Sequence, residues 1–325
     1  MRIGILGAAR IAPTALIKPA RAVDGVEVAA VAARDRGRAE AFAGKHGVPV
    51  VHGSYQELVD DPSLDAVYVP LPNALHAEWT LKAVEAGKHV LCEKPFTSNA
   101  VEAQAVADAA QAAGVVVMEA FHYRYHPLME RARKIVEGEL GEIRRVTTSF
   151  CFPLPRFSDI RYSLPLAGGA LMDAGCYAVH CLRTLGPGEP SVTSATALLR
   201  SPGVDRAMTA ELAFPGGATG HVQTSMWSRR LMSVSARVEG ERGSLRIINF
   251  VAPQFFHLLT VKTAAGRRRE RVPGEPTYTG QLRAFLAAVQ DGVPPLTPPA
   301  DAIANMKVID DIYRAARLPL RGSAG

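Results

Sequence analysis

RIGILGAARIA, residues 2–12, decides how the rest of the chain is read. Ile3 to Leu6 is a short β-rich run, and Gly7-Ala8-Ala9-Arg10-Ile11-Ala12 is a small-residue turn opening into a helix. Strand, glycine turn and helix in that order are the context of a G-x-G-x-x-G/A dinucleotide loop. Gly7 permits the tight turn, Ala12 permits close packing of helix on strand, and the helix-start amides face a pyrophosphate. Ala9 is the departure: the motif has glycine there for close backbone approach, so the extra methyl should push the phosphates outward. The loop offers Gly7, Ala8, Ala9, Arg10 and Ile11 as cofactor contacts.

Outward from this loop, short β-rich runs alternate with longer helical stretches as far as about residue 119. The runs are Ile3 to Leu6, Val26 to Ala32, Pro49 to Val51, Ala66 to Val69, His89 to Cys92 and Val115 to Met118. The helical stretches Leu75 to Ala86 and Asn99 to Ala113 close on Gly87 and Gly114, residues suited to a helix C-terminus. The alternation predicts an α/β chain that begins with a doubly wound parallel sheet, a Rossmann domain over residues 1–121. Beyond it the texture changes to a few helices and then strands of period two: Ile143 to Phe150, Ser191 to Leu199, Met208 to Phe214, Thr219 to Trp227, Ser233 to Glu239 and Ser244 to Phe250. Pro215-Gly216-Gly217 and Gly240-Glu241-Arg242-Gly243 supply turns. Residues 122–325 therefore read as an α+β domain with a large open, mainly antiparallel sheet. A Pro-rich loop at Val293 to Pro299 precedes a closing helix, about Ala300 to Ala316, with Ile303, Met306, Ile309, Ile312 and Tyr313 on one face. Disorder is expected only in the last few residues.

The composition agrees with this division and removes several function classes. The chain has 325 residues, 48% hydrophobic and 21% charged, enough for two domains. The N-terminus enters a strand at once, without the pattern of a signal peptide, and no apolar run approaches the roughly 20 residues of a membrane span. Cys92, Cys151, Cys176 and Cys181 form no C-x-x-C pair, which suits free thiols in a reducing cytoplasm. The net charge of +6 is poorly clustered. Its densest run, Arg267-Arg268-Arg269-Glu270-Arg271, follows Ala264-Ala265-Gly266 as one side of a hairpin, so a solvated sheet edge is expected and no nucleic acid partner. No His, Cys and carboxylate set has metal-ligand spacing, so no metal is expected.

Two further signals concern ligands. Residue 34 stands at the end of the second strand, Ala32-Ala33-Arg34-Asp35, where an acidic residue binds a ribose 2′-hydroxyl and an arginine accommodates a 2′-phosphate. Arg34 predicts preference for NADP(H) over NAD(H); a register error of one, placing Asp35 there, would reverse it. Ligands of open α/β sheets bind beyond the carboxyl ends of the strands. There the chain puts Leu71-Pro72-Asn73 with His76, Glu93-Lys94-Pro95, and Glu119 to Pro127 with Arg124 in its middle. All three clusters converge on one edge of the sheet. A proline after Lys94 can hold a cis bond and fix how the preceding side chain leaves the strand.

Gly7 to Ala12, Leu71-Pro72-Asn73-Ala74-Leu75-His76, Glu93-Lys94-Pro95 and Gly168-Gly169-Ala170-Leu171-Met172-Asp173-Ala174-Gly175-Cys176-Tyr177 together resemble the Gfo/Idh/MocA oxidoreductases. Each motif alone is weak; four in order over nearly the whole chain are specific. The resemblance implies a Rossmann domain followed by a substrate domain whose open sheet is commonly the oligomer interface, in a homodimer or homotetramer. It implies that Lys94 lies beside the nicotinamide and the substrate hydroxyl. Most relatives carry histidine where Tyr177 stands. The branch of glucose-fructose oxidoreductase, NADP-dependent xylose dehydrogenase and dimeric dihydrodiol dehydrogenase is the one this chain resembles, tyrosine included.

Asp173, Tyr177 and His180 are spaced i, i+4, i+7 on one helical face, with Leu171, Ala174, Ala178, Leu182 and Leu185 on the apolar face. A free tyrosine has a pKa near 10, and a neighbouring cation lowers it. Tyr177 is thus the expected general acid/base, Lys94 its electrostatic partner, and Asp173 an orienter of substrate or Lys94. His180 and Cys176 read as structural. The expected activity is hydride transfer between NAD(P) and the hydroxyl or carbonyl carbon of a sugar, cyclitol or trans-dihydrodiol. Two alternatives stand beside it: a sugar–sugar oxidoreductase that recycles a tightly bound cofactor, and a non-catalytic nucleotide-dependent sensor.

Overall fold

A computed structural model describes residues 1–322; the last few residues, where disorder is expected, lie outside the described residues. Six strands form the first sheet: β1 (Arg2–Leu6), β2 (Glu27–Ala32), β3 (Val50–His52), β4 (Ala66–Val69), β5 (His89–Cys92) and β6 (Val117–Glu119). Their spatial order is β3-β2-β1-β4-β5-β6, with every pair parallel. Such a sheet is covered on both faces, so its strands need continuous apolar runs rather than alternation. All four residues of β4 have no exposed surface. The strand order reverses between β1 and β4, and that switch opens a crevice at the carboxyl edge.

The helices Arg36–His46, His76–Glu85 and Ala100–Ala113 alternate with these strands. Gly47, Gly87 and Gly114 follow them with φ of 74°, 72° and 65°, the left-handed conformation that glycine adopts without steric cost. The contact pattern groups residues 1–97 and 101–125 with Tyr278–Ala302, whereas the sequence boundary at 121/122 leaves the latter stretch with the second domain. The physical reason is burial: Leu282 and Phe285 of the helix Thr277–Gln290 pack into one core with Ile3, Ile5, Leu16 and Val23. The loop after that helix reaches β6, where Thr297 exchanges main-chain and side-chain hydrogen bonds with Glu119.

The second compact unit contains Ser98–Ala100, His126–Thr277 and the closing segment from Ile303. Its sheet comprises β7 (Ile143–Cys151), β8 (Ser191–Ser201), β9 (Val204–Ala213), β10 (Thr219–Ser225), β11 (Ser233–Gly240), β12 (Gly243–Ile248), β13 (Leu258–Thr263) and β14 (Gly266–Glu270). The order is β14-β13-β12-β11-β7-β10-β9-β8, antiparallel except between β7 and β10. One face carries Val146, Thr148, Val222, Ala236, Val238 and Leu245, all buried. The helix Cys176–Leu185 lies on this face, where Thr148 Oγ1 donates to Ala178 O at 2.8 Å. The opposite face is polar, with Arg145, Arg237 and Arg246 exposed and His221 bonded to Glu211, the alternation expected of an antiparallel sheet. β14 is one of the two edge strands, with Arg267, Arg268 and Arg269 exposed as the hairpin reading predicts.

Candidate active site

The Gly7 turn has the geometry its motif requires. Gly7 has φ of 97°, a conformation that strains any residue with a Cβ, and a Cβ there would lie 3.2 Å from Leu71 Cδ2, which would have to give by a few tenths of an ångström. Its N–H donates to Ala32 O at 2.7 Å, and Ala12 has no exposed surface. Ala8 and Ala9 are half-buried, Arg10 and Ile11 exposed. One expectation changes: the Ala9 N–H donates to Gly7 O at 2.8 Å, so it is engaged inside the turn and is not one of the amides offered to a pyrophosphate.

Beyond β2, Arg34 and Asp35 are both exposed, but they do different work. The Asp35 carboxylate accepts the Arg38 N–H at 2.7 Å and caps the helix Arg36–His46, a common role for an N-terminal aspartate. Arg34 is left facing outward. Burial raises the Tyr55 phenol above its ordinary pKa, and the charges of Arg34 and then Arg38 pull it back. The same Tyr55 hydroxyl stands 3.7 Å from the Cβ position of Gly7. Arg38 is therefore a second cation beside the turn, which the spacing rule does not single out.

At the end of β4, Leu71 is buried, and Pro72 and Asn73 are half-buried ahead of the turn Asn73–Leu75. His76 is 1% exposed. Its Nδ1 lies 2.7 Å from Pro95 O and its Nε2 2.7 Å from Leu71 O. Both ring nitrogens are taken up by main-chain carbonyls, so His76 is not the cofactor contact expected from the sequence. Burial, and after it the Lys94 charge, hold the imidazole below its ordinary pKa, and a neutral ring has one N–H, so it donates to one of the two carbonyls and rests against the other.

At the end of β5, Glu93 is half-buried and its Oε1 accepts the Tyr68 hydroxyl at 2.7 Å. Lys94 follows, half-buried, and the Lys94–Pro95 peptide is cis. Beyond β6, His122 is 4% exposed and its ring stacks on Tyr278 at 4.0 Å and 31°. Burial first, then the Lys94 charge, push the His122 pKa down to about 3. Lys94 therefore acts on two buried neutral histidines, His76 and His122. Burial raises the Tyr278 phenol, and the Glu93 charge adds to the effect. No sequence signal could have placed Tyr278 here, because it returns from the far end of the chain. Arg124 is half-buried, and its Nε is buried with no hydrogen-bond partner among the described residues. A glycine turn with positive φ and an arginine pair beside it fit a phosphate-bearing dinucleotide, and the buried Arg124 Nε is a further donor without a partner among the described residues.

In the second unit, Asp173 sits in a π-helical turn, Leu171–Gly175, that runs into the helix Cys176–Leu185 carrying Tyr177. Tyr177 is 5% exposed and its ring packs on Phe150 at 5.5 Å. His180 is 1% exposed and Cys176 fully buried. The helix is buried on all sides through this stretch, so the polar face expected from spacing does not separate solvent from core. Asp173 Oδ1 accepts Arg161 Nε at 3.0 Å, and Arg161 also bonds Asp159. The acid expected to orient substrate or Lys94 is thus ion-paired to the 152–166 loop, through an arginine that sequence reasoning missed.

The Gly168-Gly169 step brings loop and helix together: a Cβ on Gly168 would lie 2.6 Å from Arg161 O. The turn is held from below by Asp205, which accepts Leu171 N–H at 2.7 Å, the Tyr313 hydroxyl at 3.0 Å and Arg321 at 2.9 Å. Asp205 and Arg321 side chains are wholly buried. Among the described residues no group of three His, Cys, Asp or Glu side chains comes together as a metal site, and no helix is long and apolar enough to cross a membrane.

Comparison with known proteins agrees with this construction. Residues 1–121 match the model of the GFO_IDH_MocA oxidoreductase family with its NAD-binding Rossmann fold, and residues 129–246 match the GFO/IDH/MocA C-terminal domain. The chain is 41% identical to D-xylose 1-dehydrogenase (NADP(+)) 2 of Haloferax volcanii over 97% of each protein. It superimposes on a 3-ketoreductase from Actinomadura kijaniata, solved with NADP and TDP-benzene, with a TM-score of 0.89 at 30% identity over 97% of each chain. An aldose–aldose oxidoreductase from Caulobacter crescentus, solved with glycerol, gives 0.90 at 26% identity over 98% of this chain and 97% of that one. The chain belongs to the GFO/IDH/MocA family and is an NAD(P)-dependent oxidoreductase.

Proposed function

We propose that this member of the family transfers a hydride between NADP(H), in preference to NAD(H), and the hydroxyl or carbonyl carbon of a sugar, cyclitol or trans-dihydrodiol. The observation that carries the reading is the row of groups along the carboxyl edge of the first sheet: the Gly7 turn, the Arg34 and Arg38 pair, and Lys94. Asp35, the one residue that would favour an unphosphorylated ribose, is engaged as a helix cap. The xylose dehydrogenase relative bears NADP in its name, and the similar 3-ketoreductase was solved with it.

When bound, the nicotinamide supplies the hydride donor or acceptor. The protein has then to move one proton and stabilise charge on the substrate oxygen. Tyr177 is assigned the acid/base role and Lys94 the electrostatic one, since a fixed cation favours an oxygen anion far more in a dry site than in water. Asp173, paired with Arg161, sets the 152–166 loop over the substrate. Gly7, Ala8, Arg10, Ile11, Leu71, Pro72, Asn73, Glu93 and Arg124 are assigned to cofactor contact. Residues 1–121 with the 278–302 return would bind the dinucleotide, and the second unit would bind substrate and form a homodimer or homotetramer through the polar face of its sheet. A monomer mass from light scattering would remove the oligomer assignment. Four buried free cysteines support a reducing cytoplasm.

Screening aldoses, cyclitols and diols for absorbance change at the nicotinamide band tests the activity. Lys94→Ala and Tyr177→Phe are expected to lower kcat by about 100-fold or more, the range of a lost acid/base or charge-stabilising group. Turnover of no substrate, or two fully active variants, would overturn the mechanism. The likeness to an aldose–aldose oxidoreductase keeps a second reading, a tightly held recycled cofactor. Cofactor surviving gel filtration would select it.

A further inference from the structure

His76 is a residue the mechanism above does not use, yet it touches both loops that flank Lys94's strand. The ladder between β4 and β5 ends at Val69 and Cys92, with a last main-chain bond from Glu93 N–H to Val69 O. Past that point the β4–β5 ladder no longer sets the distance between the two loops. His76 spans the gap: one nitrogen meets Leu71 O, on the loop after β4, and the other meets Pro95 O, on the residue after Lys94. The ring is 1% exposed, so water cannot take its place between the two carbonyls.

We propose that His76 is a positioning residue for Lys94, a brace whose Nδ1–H donates to Pro95 O and fixes the Lys94–Pro95 segment while its Nε2 edge seats the ring against the Leu71 loop. The inference rests on the assignment of Lys94 to the chemistry. Because Lys94 must stand at a set distance from a reacting oxygen, a shift of its segment lowers turnover without removing any group that touches the cofactor. Misplacement of a catalytic group by about 1 Å costs on the order of 100-fold.

The two arms can be separated by side-chain length. An asparagine amide nitrogen lies near the position of Nδ1 and a glutamine amide nitrogen near that of Nε2, so His76→Asn keeps the Pro95 arm and His76→Gln keeps the Leu71 arm. His76→Leu keeps neither. Turnover is expected to fall by about 10-fold in His76→Asn and about 100-fold in His76→Gln and His76→Leu. The NADPH dissociation constant, from fluorescence titration, should stay within about threefold throughout. In a Lys94→Ala background, His76→Leu should have no further effect on the residual rate, since the group it positions is gone.

Equal fold-losses in both backgrounds would make His76 merely structural, and a dissociation constant that rises as far as kcat falls would make it a cofactor contact. Either overturns the proposal. If His76→Leu does not fold, a His76→Asn variant no better than His76→Gln overturns it as well. A fully active Lys94→Ala enzyme would instead strike at the mechanism beneath it.

Discussion

Arg34 and Asp35 are adjacent, exposed and opposite in charge, and the cofactor preference turns on which of them meets the ribose. One hydrogen bond bears on it: the Arg38 amide donates to the Asp35 carboxylate at 2.7 Å, where it completes the first turn of a helix. Arg34 could be read from the spacing beyond Gly7. Arg38 could not, because its relevance depends on a helix starting at residue 36 and turning it back toward Tyr55. A guanidinium–phosphate hydrogen bond contributes about 1.5–3 kcal/mol, or roughly 10- to 100-fold. Arg34→Ala and Arg38→Ala should therefore each weaken NADPH by at least about 10-fold, with the double variant weaker than either and NADH affinity unchanged. Fluorescence titration with both cofactors measures this, and parallel losses for NADH and NADPH would remove the 2′-phosphate assignment.

At the scale of elements, regular period was legible and local irregularity was not. Most sequence-read strands match observed ones to within one or two residues, because a buried parallel strand and a half-buried antiparallel strand leave distinct patterns. The start of β9 at Val204, four residues before the sequence places it, is the largest miss among them. The helix bearing Tyr177 shows the limit of the method. Its i, i+4, i+7 spacing assumes an α-helix throughout, yet Asp173 lies in a π-helical turn, where hydrogen bonds run i to i+5 and a four-residue step is no longer one turn. What holds that turn is non-local: Asp205 binds Leu171 N–H and is itself held by Arg321, 116 residues away in the chain. The basic hairpin edge, read as solvated, is also clamped. Arg131 makes a bidentate pair with Glu270 at 2.6 and 2.8 Å, and Arg268 bonds both Glu139 and Glu270. The charges keep the edge from pairing with another strand and also fasten it to the helix Pro127–Glu139.

For the molecule as a whole, two sheets and their order along the chain were legible, while the return of residues 278–302 to the first unit was not. Periodicity records that a segment has an apolar face and says nothing of which core receives it. That return brings Tyr278 onto His122, and the burial of His122 has a consequence for stability. In the unfolded chain a histidine titrates near 6.5; folded, His122 does so at about 3. Between those values the unfolded state binds a proton that the folded state refuses. Stability is therefore complete above pH 6.5 and is lost as pH falls, at about 1.4 kcal/mol per unit for one such group.

His76, His89 and His126 are shifted in the same direction, burial being the first cause in each. Carboxylates with depressed values, Glu270 at about 2 among them, lose their contribution only below the ordinary carboxylate range. Buried Asp205, shifted upward, has the opposite sign and favours the folded state on the acid side. From pH 6.5 to 4.5 the histidines dominate the loss. His122→Phe keeps the stacked ring and removes the titration, so its urea-unfolding free energy should fall by about 2 kcal/mol less than the parent's over that interval. A Trp227→Phe background leaves Trp79, in the first unit, as the only tryptophan reporter. Parallel pH profiles for the two proteins would mean that His122 takes up its proton without unfolding, and that the pocket formed with Tyr278 admits charge.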